Sequence, residues 1–125
     1  RELKIPKNSH LLDGSVQTLV FTQSDQGLDQ DYVNIDYIKA PFESEELIPF
    51  ILSSLYKKNI QSLIVEGGSF LFNSFLRLKL WNEARVFIGP KDLERGLEAP
   101  PFKLLGSSRS EKFVGVDKLI YFRCP

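Results

Sequence analysis

Apolar and polar positions in the first half of the chain follow the periods of strands and helices. Residues 18–22 are rich in β-forming side chains without a helical period, which predicts a buried strand. Residues 32–38 alternate polar with apolar and predict a second strand. Across residues 43–58, apolar side chains fall on one stripe of a helix with an acidic start, as the helix dipole favours. Pro49 fits only if this helix begins close before it, because an interior proline ring clashes with the preceding turn.

A short apolar run, a pair of glycines and another helix open the second half. Residues 62–65 predict a third strand, apolar enough for a parallel strand that is covered on both faces. A second helix is predicted at about 70–80. Three later segments have the composition of strands: 84–88, about 102–108 and about 119–123. A short segment at 112–114 is a further pairing candidate. A helix followed by a buried strand is one arm of a β-α-β unit, so the pattern predicts an α/β fold.

Composition limits the partners and the compartment. The chain has 125 residues, a length suited to one core. Sixteen basic and sixteen acidic residues give no overall field that would attract nucleic acid or an anionic membrane, so we expect neither partner. A single cysteine, Cys124, leaves no disulfide framework and no Cys-rich zinc site, so we expect a cytoplasmic protein without a metal. The sequence contains no methionine, and we expect a chain cut from a longer protein.

The candidate chemistry lies where the third predicted strand meets the second predicted helix. Glu66, Gly67, Gly68 and Ser69 form this junction. Glycines let a ligand approach the backbone, and the first helical turn offers unpaired amides at the positive end of the helix dipole. Such a junction favours a nucleotide phosphate. The alternative is a turn in which the glycines only satisfy backbone geometry. The full dinucleotide fingerprint and the Walker lysine are both missing from this segment.

The other polar residues offer little catalytic chemistry. Glu66 either accepts hydrogen bonds from hydroxyl or amide groups of a ligand or caps the helix that follows. His10 is the only histidine and lies in a turn-rich segment, so we expect it to be solvated. Without a second candidate base, a nucleophilic triad is not predicted, and the sequence indicates no catalytic acid.

Several segments resemble the reductase domain of the bifunctional riboflavin-biosynthesis deaminase–reductase. The strongest resemblance lies in the glycine segment, in the helix that follows it and in the region up to and just beyond Gly89. The matching residues are 65–69, 74–76, 82–83 and 87–91. Three earlier segments match as well: 3–6, 11–14 and 18–22. The resemblance spans most of residues 1–91 and weakens towards residue 125.

This resemblance implies a fold similar to dihydrofolate reductase, with a mixed, mainly parallel sheet, flanking helices and an antiparallel C-terminal strand. It also implies an enzyme that uses NADPH to reduce 5-amino-6-(5-phosphoribosylamino)uracil, a small nucleotide, to its ribityl form. Glu66 is then the substrate contact, and the cofactor-binding residues are Gly67, Gly68, Ser69, Phe70, Leu71 and Phe72. Arg1 would follow a strand that approaches the adenosine 2′-phosphate.

The resemblance further implies that residues 1–125 are one partial domain, without the deaminase half and without the opening strands of the reductase. We therefore expect the chain alone to be nearly inactive and to bind NADPH no tighter than about 10 µM. Missing strands leave an open sheet edge, which favours a homo-oligomer, most simply a dimer. Two alternatives stay open: a reductase of the same fold that acts on another pyrimidine or pteridine, and a non-catalytic dimerisation module.

Overall fold

The structure, a computed structural model, describes residues 5–6, 8–25, 33–92, 94–96, 98–100 and 109–124. Its five strands in chain order are β1 Thr18–Thr22, β2 Ile35–Lys39, β3 Glu83–Ile88, β4 Arg109–Val114 and β5 Asp117–Arg123. Its two α-helices are α1 Leu47–Lys57 and α2 Ser69–Leu78. The chain divides into two compact units, Arg1–Leu63 and Ile64–Pro125, so its expected character as a single domain stays a prediction.

The first unit contains a parallel pair of strands. Thr18 of β1 lies opposite Ile35 of β2, and Thr22 lies opposite Lys39. The second strand begins at Ile35 instead of residue 32, because the residues just before it turn. Asn34 has a left-handed backbone (φ 58°), and its side-chain amide donates to the Gly14 carbonyl at 2.8 Å. An extended strand excludes that conformation, which alternation of polar and apolar residues does not reveal.

Helix α1 follows β2 after a tight turn and is shorter than predicted. It begins at Leu47 instead of residue 43, so Pro49 lies in its first turn, as the clash argument requires. Ser44 accounts for the difference: its carbonyl accepts from the Leu47 amide at 3.2 Å, and its hydroxyl accepts from the Glu46 amide at 3.0 Å. Ile48 is buried on the apolar side of the helix.

The predicted third strand at 62–65 is wrong. These residues are neither helix nor strand, and Leu63 and Ile64 are 47% and 83% exposed. A strand exists only through hydrogen bonds to a neighbouring strand, and none of the strands in the described part of the chain pairs with 62–65. Apolar composition indicates a tendency to be covered, but it supplies no partner.

The second unit packs α2 on an antiparallel sheet. The strand order is β3-β5-β4, and β4 and β5 form a hairpin that turns at Gly115. The core joins α2 to β3 and β5 through Leu76, Ala84, Ile120 and Phe122, with Phe72, Trp81 and Val86 packed against it. Helix α2 ends at Leu78, two residues earlier than predicted, because Lys79 has a left-handed backbone (φ 54°).

The parallel pair, the antiparallel sheet and the two helices confirm the α/β class. The antiparallel C-terminal strand is confirmed as β5, and the pairing candidate at 112–114 is part of β4. Within the described residues, parallel pairing is confined to β1 and β2, so the antiparallel part is larger than predicted. The strand expected at 102–108 lies outside the described residues. Neither α1 nor α2 has the length and apolar character needed to cross a membrane, and no other helix in the described ranges has them.

Candidate functional site

Helix α2 begins with unpaired backbone amides. Gly68 precedes its first residue with an extended backbone (φ −64°, ψ 172°), and the Gly68 carbonyl accepts from the Phe72 amide at 3.1 Å. The amides of Ser69, Phe70 and Leu71 come before the first intrahelical hydrogen bond. In the described part of the chain, no side chain caps them. Together with the helix dipole, these donors can bind an anion.

The two glycines before α2 have different surroundings. A Cβ on Gly67 would lie 2.5 Å from Cδ2 and 3.0 Å from Cβ of Leu71, so any larger residue at position 67 would crowd the Leu71 side chain. A Cβ on Gly68 would meet no atom of the described residues within 4 Å. Packing against Leu71 is thus one reason for a glycine at position 67, and its part in cofactor binding stays a prediction. At Gly68 the space beside the unpaired amides is open, as an approaching ligand requires.

The remaining predicted cofactor residues divide by the direction of their side chains. The Ser69 hydroxyl donates to the Glu98 carbonyl at 3.3 Å, which links the helix start to a later loop. Phe70 is 80% exposed. Leu71 lies against Gly67, and Phe72 packs against the core of the unit. A ligand can therefore contact the backbone at the helix start and the Phe70 ring, whereas the side chains of Leu71 and Phe72 serve the fold.

Glu66 is exposed and does not cap α2. Its carboxylate makes no hydrogen bond or ion pair with another residue of the described ranges, and none with the first amides of the helix. The capping interpretation is therefore wrong. An exposed carboxylate also carries no burial cost, so it needs no internal partner. It remains able to accept hydrogen bonds from hydroxyl or amide groups of a ligand.

The start of α1 offers an internal comparison. The Ser44 carbonyl accepts from the Leu47 amide, the Ser44 hydroxyl accepts from the Glu46 amide just before the helix, and Pro49 has no amide hydrogen to donate. Glu45 and Glu46 add negative charge at the same end. An anion is therefore disfavoured at α1, and only α2 of the two described α-helices begins with an open set of donors.

Sequence reasoning missed a cavity in the first unit. It has a volume of about 460 Å³ and lies at the carboxyl ends of β1 and β2, between Gln23, Lys39, Ala40, Pro41, Phe42, Glu43 and Ser44. The available signal was the pair of predicted strands, because ligands in open α/β sheets gather beyond the carboxyl ends of parallel strands. The Lys39 ammonium lies 2.5 Å from the Asp25 carboxylate, with side chains 60% and 77% exposed. Such a surface ion pair contributes only about 0–1 kcal/mol.

His10 is exposed, as predicted, and lies 3.3 Å from Asp13. The hydroxyl and the amide of Ser15, followed by His10, hold the pKa of Asp13 below its ordinary value. In the described ranges, no group of three or more His, Cys, Asp and Glu side chains is arranged to hold a metal ion. Arg1, implicated through the resemblance, lies outside these ranges.

A protein-family model described as "RibD C-terminal domain" matches residues 1–112 of the chain. The matched range contains β1, β2, α1, the glycine junction, α2 and β3. It also extends beyond residue 91, where the sequence motifs became weak. The resemblance recognised from the sequence is therefore confirmed over 112 of the 125 residues.

Proposed function

Because the chain belongs to the RibD C-terminal domain family, the reductase domain of the riboflavin pathway, we propose that it takes part in the NADPH-dependent reduction of 5-amino-6-(5-phosphoribosylamino)uracil. The observation that carries this proposal is the open start of α2. Gly68 has free space on its Cβ side, and the next three amides have no acceptor within the described residues.

The start of α2 suits the diphosphate of a dinucleotide. Hydrogen bonds from backbone amides to a charged oxygen contribute about 1.5–3 kcal/mol each. The helix dipole adds about 0.3–1 kcal/mol. Alanine at position 68 would place a methyl group in the space through which the diphosphate approaches. Phe70, exposed beside these donors, offers apolar surface to the bound nucleotide.

NADPH, when bound, supplies the hydride that reduces ribose C1 of the substrate and opens the sugar to the ribityl chain. The chain itself contributes orientation, because holding two reactants in the correct geometry removes much of the entropic barrier. In this proposal the Glu66 carboxylate accepts hydrogen bonds from hydroxyl or amide groups of the substrate. Its position immediately before the glycines brings the substrate contact and the diphosphate contact into one short segment.

Replacing Gly68 by aspartate tests the proposal. The new carboxylate would sit at the positive end of α2, where it caps the helix and repels phosphate. We expect the free energy of unfolding to be unchanged or raised by up to about 1 kcal/mol. We expect NADPH affinity to fall by about 10-fold or more, since a charge-assisted contact is replaced by repulsion.

The measurement is a titration of the ¹⁵N-labelled chain with NADPH up to millimolar concentration, followed by NMR. Amide signals of residues 68–71 should shift in the wild type and stay in place in Gly68→Asp. The control is Asn82→Asp, which adds the same charge at another exposed position of the same unit with little change in side-chain shape. The proposal fails if Gly68→Asp binds NADPH as the wild type does. A calorimetric dissociation constant below about 10 µM would contradict the expectation that the chain alone binds weakly.

A further inference from the structure

One end of the antiparallel sheet carries a concentration of exposed apolar side chains. We call it the apolar end, and its five residues come from the end of β3 and from the β4–β5 hairpin: Phe87, Ile88, Phe113, Val114 and Val116. Strand pairing brings them together, because Ile88 and Phe113 both lie opposite Lys118. Each of the five is at least 40% exposed, and Phe113 and Val116 are 74% and 76% exposed.

The apolar end is large enough for a contact between proteins. A buried phenylalanine covers about 150–250 Å², so the exposed parts of the five side chains amount to about 500 Å². Contiguous apolar patches on monomers rarely exceed a few hundred Å². Two copies that cover each other's apolar ends would bury about 1,000 Å² in total, which is the lower limit of specific interfaces. This area fits a weak dimer.

The charges beside the apolar end suit a second copy of the chain. Glu111 and Lys118 form an ion pair at 2.7 Å. Lys112 and Asp117 add one charge of each sign, so residues 110–118 carry no net charge. A balanced rim selects neither an acidic nor a basic partner, and two identical copies meet there without net repulsion.

Pairing along the edge of β4 is a less suitable contact. This strand lies at one edge of the described sheet. A two-fold symmetric antiparallel pair places residues of the same face opposite each other, so the registers that use most of β4 are centred on Glu111 or Lys112. Either residue would then lie opposite its own copy, and like charges in that position are destabilising. Charged side chains commonly protect edge strands in this way.

We propose that the apolar end is the contact surface for a second copy of this chain. The dimer is two-fold symmetric, so the same patch is used on both copies, and Phe113 and Val116 of each copy pack on the apolar end of the other. The start of α2 takes no part in the contact, so the inference goes beyond the proposed function.

The test is sedimentation velocity of the chain and its variants at about 5–500 µM. We expect a wild-type dissociation constant of about 100 µM or below, since the interface is small. Phe113→Ser removes an apolar contact from both copies and should weaken the dimer by about 30-fold or more. Val116→Ser should weaken it by about 10-fold. Both residues are exposed, so the fold should persist, which circular dichroism checks.

The matched control is Ile64→Ser. Ile64 is an equally exposed apolar residue of the same unit that lies outside the apolar end, so this variant should dimerise as the wild type does. Raising the salt concentration from about 0.05 to 0.5 M should leave the dimer intact, because it screens charges and not apolar contacts.

Three results would overturn the inference: a wild-type chain that stays monomeric at about 500 µM, unchanged dimerisation in Phe113→Ser, or dissociation of the dimer by salt. An equal loss of dimer in Ile64→Ser would also overturn it, because association would then not depend on the apolar end. Failure of the proposed function has a separate signature, which is unaltered NADPH binding in Gly68→Asp. That variant should dimerise as the wild type does.

Discussion

Replacing Gly67 by alanine tests whether the two adjacent glycines have different roles. The added methyl group would lie 2.5 Å from Cδ2 and 3.0 Å from Cβ of Leu71. The δ carbon must leave its position, which moves the Leu71 side chain out of its packing, whereas the β carbon needs to give by only a few tenths of an ångström. Overpacking of this kind costs about 1–3 kcal/mol. Reduced freedom of the unfolded chain returns about 0.4–1 kcal/mol. We therefore expect a net loss of about 1 kcal/mol.

The matched control is Gly68→Ala. A methyl group added at this position has no described atom within 4 Å, and the backbone φ of −64° suits alanine. Alanine is a poorer helix cap than glycine, but the unfolded chain again loses freedom, so stability should change by less than about 0.5 kcal/mol. NADPH binding should respond in the opposite order: Gly68→Ala weakens it, while Gly67→Ala retains it in the folded fraction.

Urea unfolding monitored by circular dichroism gives the free energy of unfolding of each variant. The decisive comparison introduces Gly67→Ala both into the wild type and into a chain that already carries Leu71→Ala. When the Leu71 side chain is shortened to Cβ, most of the clash disappears, so Gly67→Ala should cost about 1 kcal/mol less there than in the wild type. Equal costs in the two backgrounds, or a neutral Gly67→Ala in the wild type, would refute the packing explanation. The open space beside Gly68 would then no longer distinguish the two positions.

Three further results are expected. Asn34→Ala should cost about 1–2 kcal/mol in urea unfolding, because it loses the bond to the Gly14 carbonyl and must hold a left-handed backbone, whereas Asn34→Gly should recover the backbone part. The pKa of Asp13 is lowered chiefly by Ser15, so the ionised carboxylate stabilises the folded chain above the ordinary pKa, and this stabilisation is lost as the pH falls through the lowered pKa. Asp13→Asn should remove this acid dependence of stability. An ordinary pKa for Asp13 in a ¹³C NMR titration would contradict the expectation. Tyr121→Leu should cost about 1 kcal/mol, since cations from both neighbouring strands lie over the ring at 5.7 and 5.3 Å, and Tyr121→Phe should be nearly neutral.

The candidate site was located by the sequence more sharply than the sheet around it. Two glycines between an apolar run and a helical stripe predicted the start of α2 within one residue, because helix starts depend on local backbone chemistry. Glu66 was also identified, but its two possible roles stayed open. Exclusion of the capping role required the positions of the α2 amides. The cavity beside Lys39 was missed because its lining comes together only where two strands end side by side.

Local chemistry determined the α/β order of elements and the hairpin at Gly115. It also determined the turn before α1, which places Pro49 in the first turn of the helix. These features depend on residues a few positions apart, so the printed sequence contains their causes. Only the tertiary structure decided that 62–65 has no strand partner among the described residues, that β5 lies between β3 and β4, and that Gly68 is open while Gly67 is not. Each of these depends on which atoms come to lie beside a segment, and packing sets that arrangement after the local elements have formed.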